Sequence, residues 1–278
     1  MALELMYITN RPDVARLAQE SGVDRIWIDM EYIGKEQRQK GLDTVKSYHT
    51  IADIKKLRPL ITRAALQVRI NPIHKNTSDE IENTICAGAD YIMLPYFKTS
   101  DEVRYFIKEV NGRCKTMLLL ETKEAVEHLD KILNLPGIDE VHIGLNDLHL
   151  AYGKNFMFEL LADGTVENIC RKLSGAGVKY GFGGIARLGH GYLPAEYVIS
   201  EHYRLQSSLA ILSRSFCNAN NIKDLSMIKQ DFENGIKEIR MREKEVSQYT
   251  EQEFEINRRE VIKRVDKIVE EIKSNEKI

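Results

Sequence analysis

The chain alternates between short apolar runs and longer stretches in which apolar residues recur at helical spacing. Eight short runs have the β-branched and apolar composition of buried strands. They are LELMYIT, DRIWIDM, AALQVRI, DYIMLPY, CKTMLLLE, DEVHIGL, KYGFGGI and SLAILSR. One helical stretch lies between each consecutive pair. These stretches are RPDVARLAQESG, TIADIKKLRPLI, SDEIENTICAGA, SDEVRYFIKEV, KEAVEHLDKIL, VENICRKLSGAG and PAEYVISEHY.

This alternation predicts the fold class. Strands that alternate with helices form a parallel sheet, and eight such units in one chain predict a (β/α)8 barrel. Three helical stretches end in SGVD, AGAD or PGID, the glycine-containing turn that leads from a helix into a strand. The alternative is a doubly wound open sheet, but no early GxGxxG motif supports it.

The last part of the chain has a different pattern. From Ile222 to Ile278 we find no strand pattern. Helical spacing predicts two helices here, in FENGIKEIRMREKEV and FEINRREVIKRVDKIVEEIKSNEKI. We therefore divide the chain into a barrel domain, residues 1–221, and a helical extension, residues 222–278. One apolar stripe consists of Ile256, Val261, Val265, Ile268, Val269 and Ile272. One helix can close the barrel, and the rest packs on a neighbouring subunit, lies over the barrel or forms a solvated charged tail.

Composition narrows the class of protein. The chain has 278 residues, 43% hydrophobic and 29% charged, with a net charge of −2, which suits a globular protein with a sizeable core. Without a basic stripe we expect no nucleic-acid partner. No apolar run is long enough for a membrane span, and the first residues lack the pattern of a signal peptide. Four scattered cysteines, with no zinc spacing, indicate reduced thiols in a cytoplasmic protein.

Two of the predicted strands end near carboxylates. Glu121 ends the fifth strand, and Asp147 follows the sixth. Catalytic groups of a barrel lie at the carboxyl ends of its strands, so these two side chains are expected to converge. Two hard oxygen ligands with open positions suit Mg²⁺ or Mn²⁺. The alternative is that each acid caps the helix that follows it.

Further polar residues follow other strands. Arg69 ends the third strand, and Asp29 and Glu31 follow the second. A buried arginine needs a charged partner, and its fork of donors can hold a carboxylate or an enolate oxygen. A salt bridge from Arg69 to Glu121 or Asp29 is the competing interpretation.

Two loops offer backbone donors. Backbone N–H groups from Leu145 to Asp147, in GLNDL, lie near a helix start and can bind a carboxylate. The glycine-rich segment GFGGIARLGHGY follows the seventh strand, where barrels often bind phosphate. It also allows a substrate to approach the backbone closely.

Together these residues resemble the HpcH/HpaI aldolase and citrate lyase β family, from about Leu5 to about Cys217. The stretches that carry the resemblance are SGVDRIWIDMEY, VRINP, GADYIMLP, LLLETKEAVEHLDKI and PGIDEVHIGLNDLHLAYG. The resemblance implies a homo-oligomeric (β/α)8 enzyme that makes or breaks carbon–carbon bonds through the enolate of a 2-oxo acid, often pyruvate. It assigns a divalent metal to Glu121 and Asp147, and enolate stabilisation to Arg69. Backbone N–H groups around Asn146 and Asp147 would hold the substrate carboxylate.

One departure from the family pattern concerns proton transfer. The aldolase branch reads D-x-E-H after the second strand, whereas this chain has Asp29, Met30, Glu31 and Tyr32. Tyrosine, with a reference pKa of ~10, is a poorer base at neutral pH than histidine at ~6.5. We retain Asp29 as the group that orients the acid/base, with Tyr32 and His49 as candidates for the acid/base itself. His142 and His149 are further candidates.

Three readings of the function follow. The first is an aldolase that acts on a 2-oxo acid, with an aldehyde as the second partner. The second is a citrate-lyase-like enzyme that cleaves an acyl thioester, a branch that does not use the histidine. The third is a non-catalytic relative that binds a 2-oxo acid or serves as an assembly subunit.

Overall fold

Eight parallel strands close into a barrel in the order in which they follow along the chain. The structure is a computed structural model that describes residues 2–35, 47–219, 221–222 and 224–275. The strands are β1 (Glu4–Ile8), β2 (Arg25–Asp29), β3 (Ala65–Arg69), β4 (Tyr91–Leu94), β5 (Lys115–Leu120), β6 (Glu140–Ile143), β7 (Lys179–Ile185) and β8 (Leu209–Leu212). Each lies within one of the eight apolar runs, so the predicted (β/α)8 barrel is confirmed.

Helices surround the barrel and extend beyond it. They are α1 (Pro12–Glu20), α2 (Ile51–Leu57), α3 (Thr77–Cys86), α4 (Ser100–Val110), α5 (Lys123–Glu127), α6 (Leu129–Leu133), α7 (Leu145–Ala151), α8 (Glu159–Ala162), α9 (Thr165–Gly175), α10 (Ala195–Arg204), α11 (Leu225–Val246) and α12 (Glu251–Asn275). A short 3-10 helix, Arg58–Leu60, follows α2. Within the described ranges, none of these helices combines the length and apolar character needed to span a membrane.

The acids in the repeated helix-to-strand turns have a specific role. Asp24, just before β2, accepts a hydrogen bond of 2.8 Å from the backbone N–H of Leu5 in β1. Asp90 does the same for Leu66 in β3, at 2.7 Å. Asp139 accepts a bond of 2.9 Å from Thr116 in β5. Each acid therefore satisfies a backbone donor near the start of the preceding strand, which fixes how two neighbouring strands begin.

Alternation along the strands separates two sets of apolar side chains. The inward-facing set forms a small cluster inside the barrel: Met6, Trp27, Met93, Met117, Leu119 and Leu209. Outward-facing residues such as Ile26 and Ile28 join the larger core under the helices. The lumen is thus packed at its middle by these side chains.

The glycine-rich β7 has a packing role of its own. A Cβ atom on Gly181 would lie 1.9 Å from the backbone oxygen of Leu209 in β8, a distance no side chain can tolerate. The pairing between β7 and β8 shifts register between Gly181 and Gly184. Glycine at position 181 therefore allows β7 to close against β8.

The amino-terminal end of the barrel holds a charge cluster around the buried pair of Arg25 and Glu140. Arg25 is 1% exposed and donates to Glu140 from Nη1 at 2.5 Å and from Nη2 at 2.8 Å. It also pairs with Glu4, and its guanidinium lies 4.0 Å from the centre of the Tyr91 ring. Lys179 contacts Glu140 at 3.1 Å and also pairs with Glu4. Two cations thus balance two carboxylates, which offsets the cost of burying them.

The two tail helices pack on the barrel of the same chain. Helix α11 contacts α1 and α10, and so covers the junction between the first and last strands, while α12 contacts α10 and α8. Glu243 of α11 accepts a hydrogen bond of 2.6 Å from the backbone N–H of Leu3. Val261 and Val265 are buried as the apolar stripe predicts, but Ile256 is 59% exposed. The apolar spacing of the stripe therefore does not bury every one of its members, and the division at residue 221 stays a prediction.

Two buried histidines, His142 and His202, predict acid sensitivity of the fold. Burial, followed by the charge of His142, lowers the pKa of His202 to about 3, and burial lowers the pKa of His142 to about 4. In the unfolded chain both histidines bind a proton below about pH 6.5, whereas in the folded state they stay neutral until a lower pH. The unfolded state therefore binds more protons than the folded state in this range, and acid favours unfolding. We expect the free energy of unfolding to drop from pH 6.5 toward 4 by about 1.4 kcal/mol per pH unit for each histidine.

Urea denaturation at pH 7, 6 and 5 measures this slope. The control is His202→Phe, which keeps the aromatic stack against Phe182, where the ring centres are 3.9 Å apart. That variant should lose the contribution of one histidine to the slope, whatever its stability at pH 7. An unchanged slope would contradict the assignment.

Candidate active site

A cavity of about 480 Å³ opens at the carboxyl end of the barrel. Eight of the candidate residues named from the sequence line it. They are Asp29, His49, Arg69, Glu121, His142, Leu145, Asn146 and Asp147. Tyr32 is not among the lining residues, and 63% of it is exposed. Lys35 also faces this cavity.

The two candidate metal ligands follow neighbouring strands. Leu120 of β5 pairs with Ile143 of β6, so Glu121 and Gly144 continue the two strands side by side. A Cβ atom on Gly144 would lie 2.9 Å from both Cβ and Oε2 of Glu121, so glycine leaves the space that this side chain occupies. Oε1 of Glu121 accepts a hydrogen bond of 3.0 Å from the backbone N–H of Tyr96. Asp147 lies in the first turn of α7.

The donor set fits a hard divalent cation. Glu121 and Asp147 are 5% and 9% exposed and line one cavity, and both carry anionic oxygens. The described parts of the chain contain no group of three or more His, Cys, Asp and Glu side chains that could hold a metal. A cation held here would therefore take its remaining ligands from water or substrate, as Mg²⁺ commonly does.

Arg69 lies in a network of four buried charges. Its Nε and Nη2 atoms each donate to Asp29 at 2.8 Å, and Nη1 lies 3.3 Å from Glu31. Lys35 donates to Asp29 at 2.9 Å and lies 3.8 Å from Glu31. Burial alone would raise the pKa of Asp29, but Arg69 and then Lys35 outweigh it and hold that pKa well below its usual range. Asp29 is therefore ionised.

The competing interpretation of Arg69 as a salt-bridge partner thus holds for Asp29. The same bidentate contact fixes the plane of the guanidinium while its side chain remains 13% exposed at the cavity. Arg69 can therefore pair with Asp29 and still contact a substrate in the cavity. Lys35 was missed by the sequence analysis, because a lysine four residues after an acid is too common to single out.

His49 has a defined tautomer. The backbone N–H of Asp29 donates to its Nδ1 atom at 3.0 Å. Burial lowers the pKa of His49, against an opposing contribution from Asp29, so the ring is neutral at pH 7. With Nδ1 accepting, the ring proton lies on Nε2. In this arrangement His49 donates a hydrogen bond rather than taking a proton.

The other polar candidates lie elsewhere. The backbone N–H of Tyr32 donates to the side-chain oxygen of Asn71 at 3.0 Å, and Tyr32 does not line the cavity. Nδ1 of His149 lies 3.0 Å from the backbone oxygen of Leu145, and this residue is not among those that line the cavity. Residues 36–46 of the charged loop between Ile33 and Tyr48 lie outside the described residues.

A family model for HpcH/HpaI aldolase/citrate lyase matches residues 4–159, more than half of the chain. The chain belongs to this HpcH/HpaI family. The matched region contains β1 to β6 and every predicted site residue. The predicted class of enzyme, a carbon–carbon lyase of the aldolase type that depends on a divalent metal, is therefore confirmed.

Individual HpcH/HpaI relatives are distant. The chain is 24% identical over 204 residues to a 2-keto-3-deoxy-L-rhamnonate aldolase of Shigella dysenteriae serotype 1 (strain Sd197), covering 62% of this chain and 71% of that protein. For the protein of the same name in Escherichia coli O17:K52:H18 (strain UMN026 / ExPEC), the match is 24% over 170 residues and spans only 58% of the relative's length. The solved HpcH/HpaI aldolase from Desulfitobacterium hafniense DCB-2 is 17% identical with a TM-score of 0.58, covering 86% of this chain and 93% of that one. This likeness supports the shared fold.

Proposed function

We propose that this enzyme forms and uses the enolate of a pyruvate-type 2-oxo acid, with an aldehyde as the second partner and Mg²⁺ or Mn²⁺ as the cofactor. The observation that carries the proposal is the meeting of Glu121, Asp147 and the Asp29-oriented Arg69 in one cavity. The names of the curated relatives also refer to a 2-keto acid.

Each side chain has a distinct role in this proposal. Glu121 and Asp147 would hold the cation, which when bound supplies Lewis-acid polarisation of the keto group. Arg69 donates to the keto oxygen, on which negative charge develops as the enolate forms, so its contribution is greatest in the transition state. Backbone N–H groups from Leu145 to Asp147 at the start of α7 bind the substrate carboxylate.

The proton that leaves the methyl group as the enolate forms is assigned to a water molecule in the cavity, because Nδ1 of His49 already accepts a hydrogen bond and Tyr32 does not line the cavity. Tyr32, which replaces the family histidine, is not among the residues that line the cavity. His49 offers its Nε2–H, and we assign it a hydrogen bond to the aldehyde oxygen. Because Nδ1 already accepts from Asp29, His49 serves as a donor that polarises this oxygen.

The proposal extends to where the protein is located and to its oligomeric state. Cys86, Cys114, Cys170 and Cys217 are free thiols, which supports a cytoplasmic setting. Leu225, Met227 and Met241 on α11 are exposed, which supports contact with a second copy of the chain in a homo-oligomer.

Deuterium incorporation into the methyl group of pyruvate, followed by NMR in D₂O, tests the function without knowledge of the aldehyde. We expect exchange with Mg²⁺ or Mn²⁺ and none above background after chelation, because enolate formation needs the charge that the cation supplies. Metal-dependent exchange would justify a screen for aldehydes that condense with the enolate of pyruvate. A protein that binds metal and pyruvate but shows no exchange would contradict enolate chemistry on pyruvate.

A further inference from the structure

A short turn after β2 carries Lys35, one of the four buried charges around Arg69. In this turn the backbone N–H of Lys35 donates to the backbone oxygen of Tyr32 at 3.3 Å, and Gly34 has a φ of 75°. Glycine adopts such a φ without strain, so the chain can reverse sharply here. The turn thereby returns the ammonium group of Lys35 to Asp29, to which it donates at 2.9 Å.

Asn71 holds the start of this turn. Its Oδ1 atom accepts a hydrogen bond of 3.0 Å from the backbone N–H of Tyr32 and another of 3.0 Å from the backbone N–H of Ile33. Asn71 lies just beyond the end of β3 and is only 2% exposed. One amide oxygen thus joins the segment after β3 to the turn after β2.

Glu80 of α3 fixes the amide of Asn71 from the other side. Oε1 of Glu80 accepts a hydrogen bond of 2.8 Å from Nδ2 of Asn71, and the backbone N–H of Asn71 donates to the same carboxylate at 3.2 and 3.3 Å. If the amide turned over, its oxygen would face a carboxylate and its NH2 group would face two N–H donors. Position 71 therefore needs a side chain that accepts on one side and donates on the other, which asparagine provides and aspartate does not.

The turn and Arg69 meet at the carboxylate of Asp29. Oδ2 of Asp29 accepts from Nζ of Lys35 at 2.9 Å and from Nη2 of Arg69 at 2.8 Å, so the two cations share one acceptor atom. Nε of Arg69 donates to the other oxygen at 2.8 Å. A displacement of Lys35 would therefore change the charge and the hydrogen bonding of the group that orients the guanidinium.

We propose that Asn71 is a positioning residue for Arg69: it holds the turn that places Lys35 against Asp29, and Asp29 in turn orients the guanidinium. Asn71 is not among the residues that line the cavity, so it acts through these side chains. The effect on catalysis rests on the proposed function, in which Arg69 stabilises the developing enolate. Loss of Asn71 should then lower kcat for pyruvate exchange more than it raises KM.

An exchange of the acid and the amide tests the proposal. Asn71→Asp removes the donor Nδ2 and places a second carboxylate against Glu80, so we expect release of the turn and a fall in kcat of roughly 10- to 100-fold. In the double variant Asn71→Asp with Glu80→Gln, the carboxylate accepts from both backbone N–H groups and from the new amide. The net charge is that of the wild type, and most of the rate should return.

The Nε–H resonance of Arg69 reports its position without any need for activity. It is assigned in the full chain, labelled with ¹⁵N-arginine, by its loss in Arg69→Lys. We expect it to shift in Asn71→Asp and to return to the wild-type position in the double variant with Glu80→Gln. Asn83→Asp is the matched control, because Asn83 is an exposed amide on the same helix as Glu80. It should change neither the resonance nor the exchange rate.

The path through Lys35 predicts that two changes are not additive. In a Lys35→Met background, where the ammonium group is already absent, Asn71→Asp should cause little further loss of rate. Losses that multiply independently would contradict this path.

The outcomes are distinct. A wild-type resonance of Arg69 in folded Asn71→Asp would overturn the proposal. A shift that Glu80→Gln does not reverse would also overturn it, since it would reflect packing at position 71 rather than these hydrogen bonds. If Asn71→Asp does not fold, Asn71→Ala takes its place with the same resonance as the readout. Failure of the proposed function would appear separately, as a wild-type protein without metal-dependent exchange, and the resonance would still test the positioning.

Discussion

Glu121→Gln and Asp147→Asn are each expected to reduce deuterium exchange of pyruvate to the level left after chelation, a loss of roughly 10³-fold or more. Each change keeps the shape of the side chain and replaces an anionic oxygen by a neutral amide, which is a poor ligand for Mg²⁺. Exchange followed by NMR at several Mg²⁺ concentrations measures the loss. Circular dichroism should show the same folded barrel in both variants.

Glu124→Gln is the matched control for this pair. Glu124 is a carboxylate three residues from Glu121, but it is half exposed and pairs with Lys98 at 2.9 Å outside the cavity. It should exchange pyruvate at nearly the wild-type rate. Tyr32→Phe should also have a smaller effect than either ligand variant. Wild-type exchange by Glu121→Gln would remove the metal assignment, and an equally large loss in Tyr32→Phe would identify Tyr32 as the acid/base.

The barrel could be predicted because its signal is local and repeated. Each strand is a short apolar run, each helix has its own periodicity, and the turns between them carry glycine followed by an acid. The position of Glu121 and Asp147 followed from the fold, since the carboxyl ends of adjacent strands must meet. The position of Arg69 at the same end of the barrel followed from the same argument, because Arg69 is the last residue of β3.

Side-chain contacts between distant segments could not be predicted in the same way. The hydrogen bond that fixes the tautomer of His49 comes from Asp29, 20 residues earlier in the chain. The salt bridge that places Lys35 beside Asp29 depends on the path of a loop. The exposure of Ile256 depends on which face of α12 meets α10. Periodicity shows that a helix has an apolar face but not where that face ends.

The charge cluster at the amino-terminal end of the barrel should affect stability rather than activity. Arg25→Met is expected to lower the free energy of unfolding by about 3–5 kcal/mol. Arg25 makes two hydrogen bonds with Glu140, whose side chain is 5% exposed. Methionine fills similar space but leaves this buried carboxylate with Lys179 as its remaining cation. Urea denaturation at pH 7 measures the loss.

Two controls distinguish an uncompensated charge from altered packing. In the double variant Arg25→Met with Glu140→Leu, both charges are gone, so stability should recover relative to Arg25→Met. Arg113→Met breaks an exposed pair with Glu82 and should leave the free energy of unfolding nearly unchanged. Additive losses in the double variant would contradict the coupling. Because Arg25 lies at the end of the barrel opposite to Glu121, folded Arg25→Met should still exchange pyruvate, whereas Glu121→Gln should fold and not exchange it.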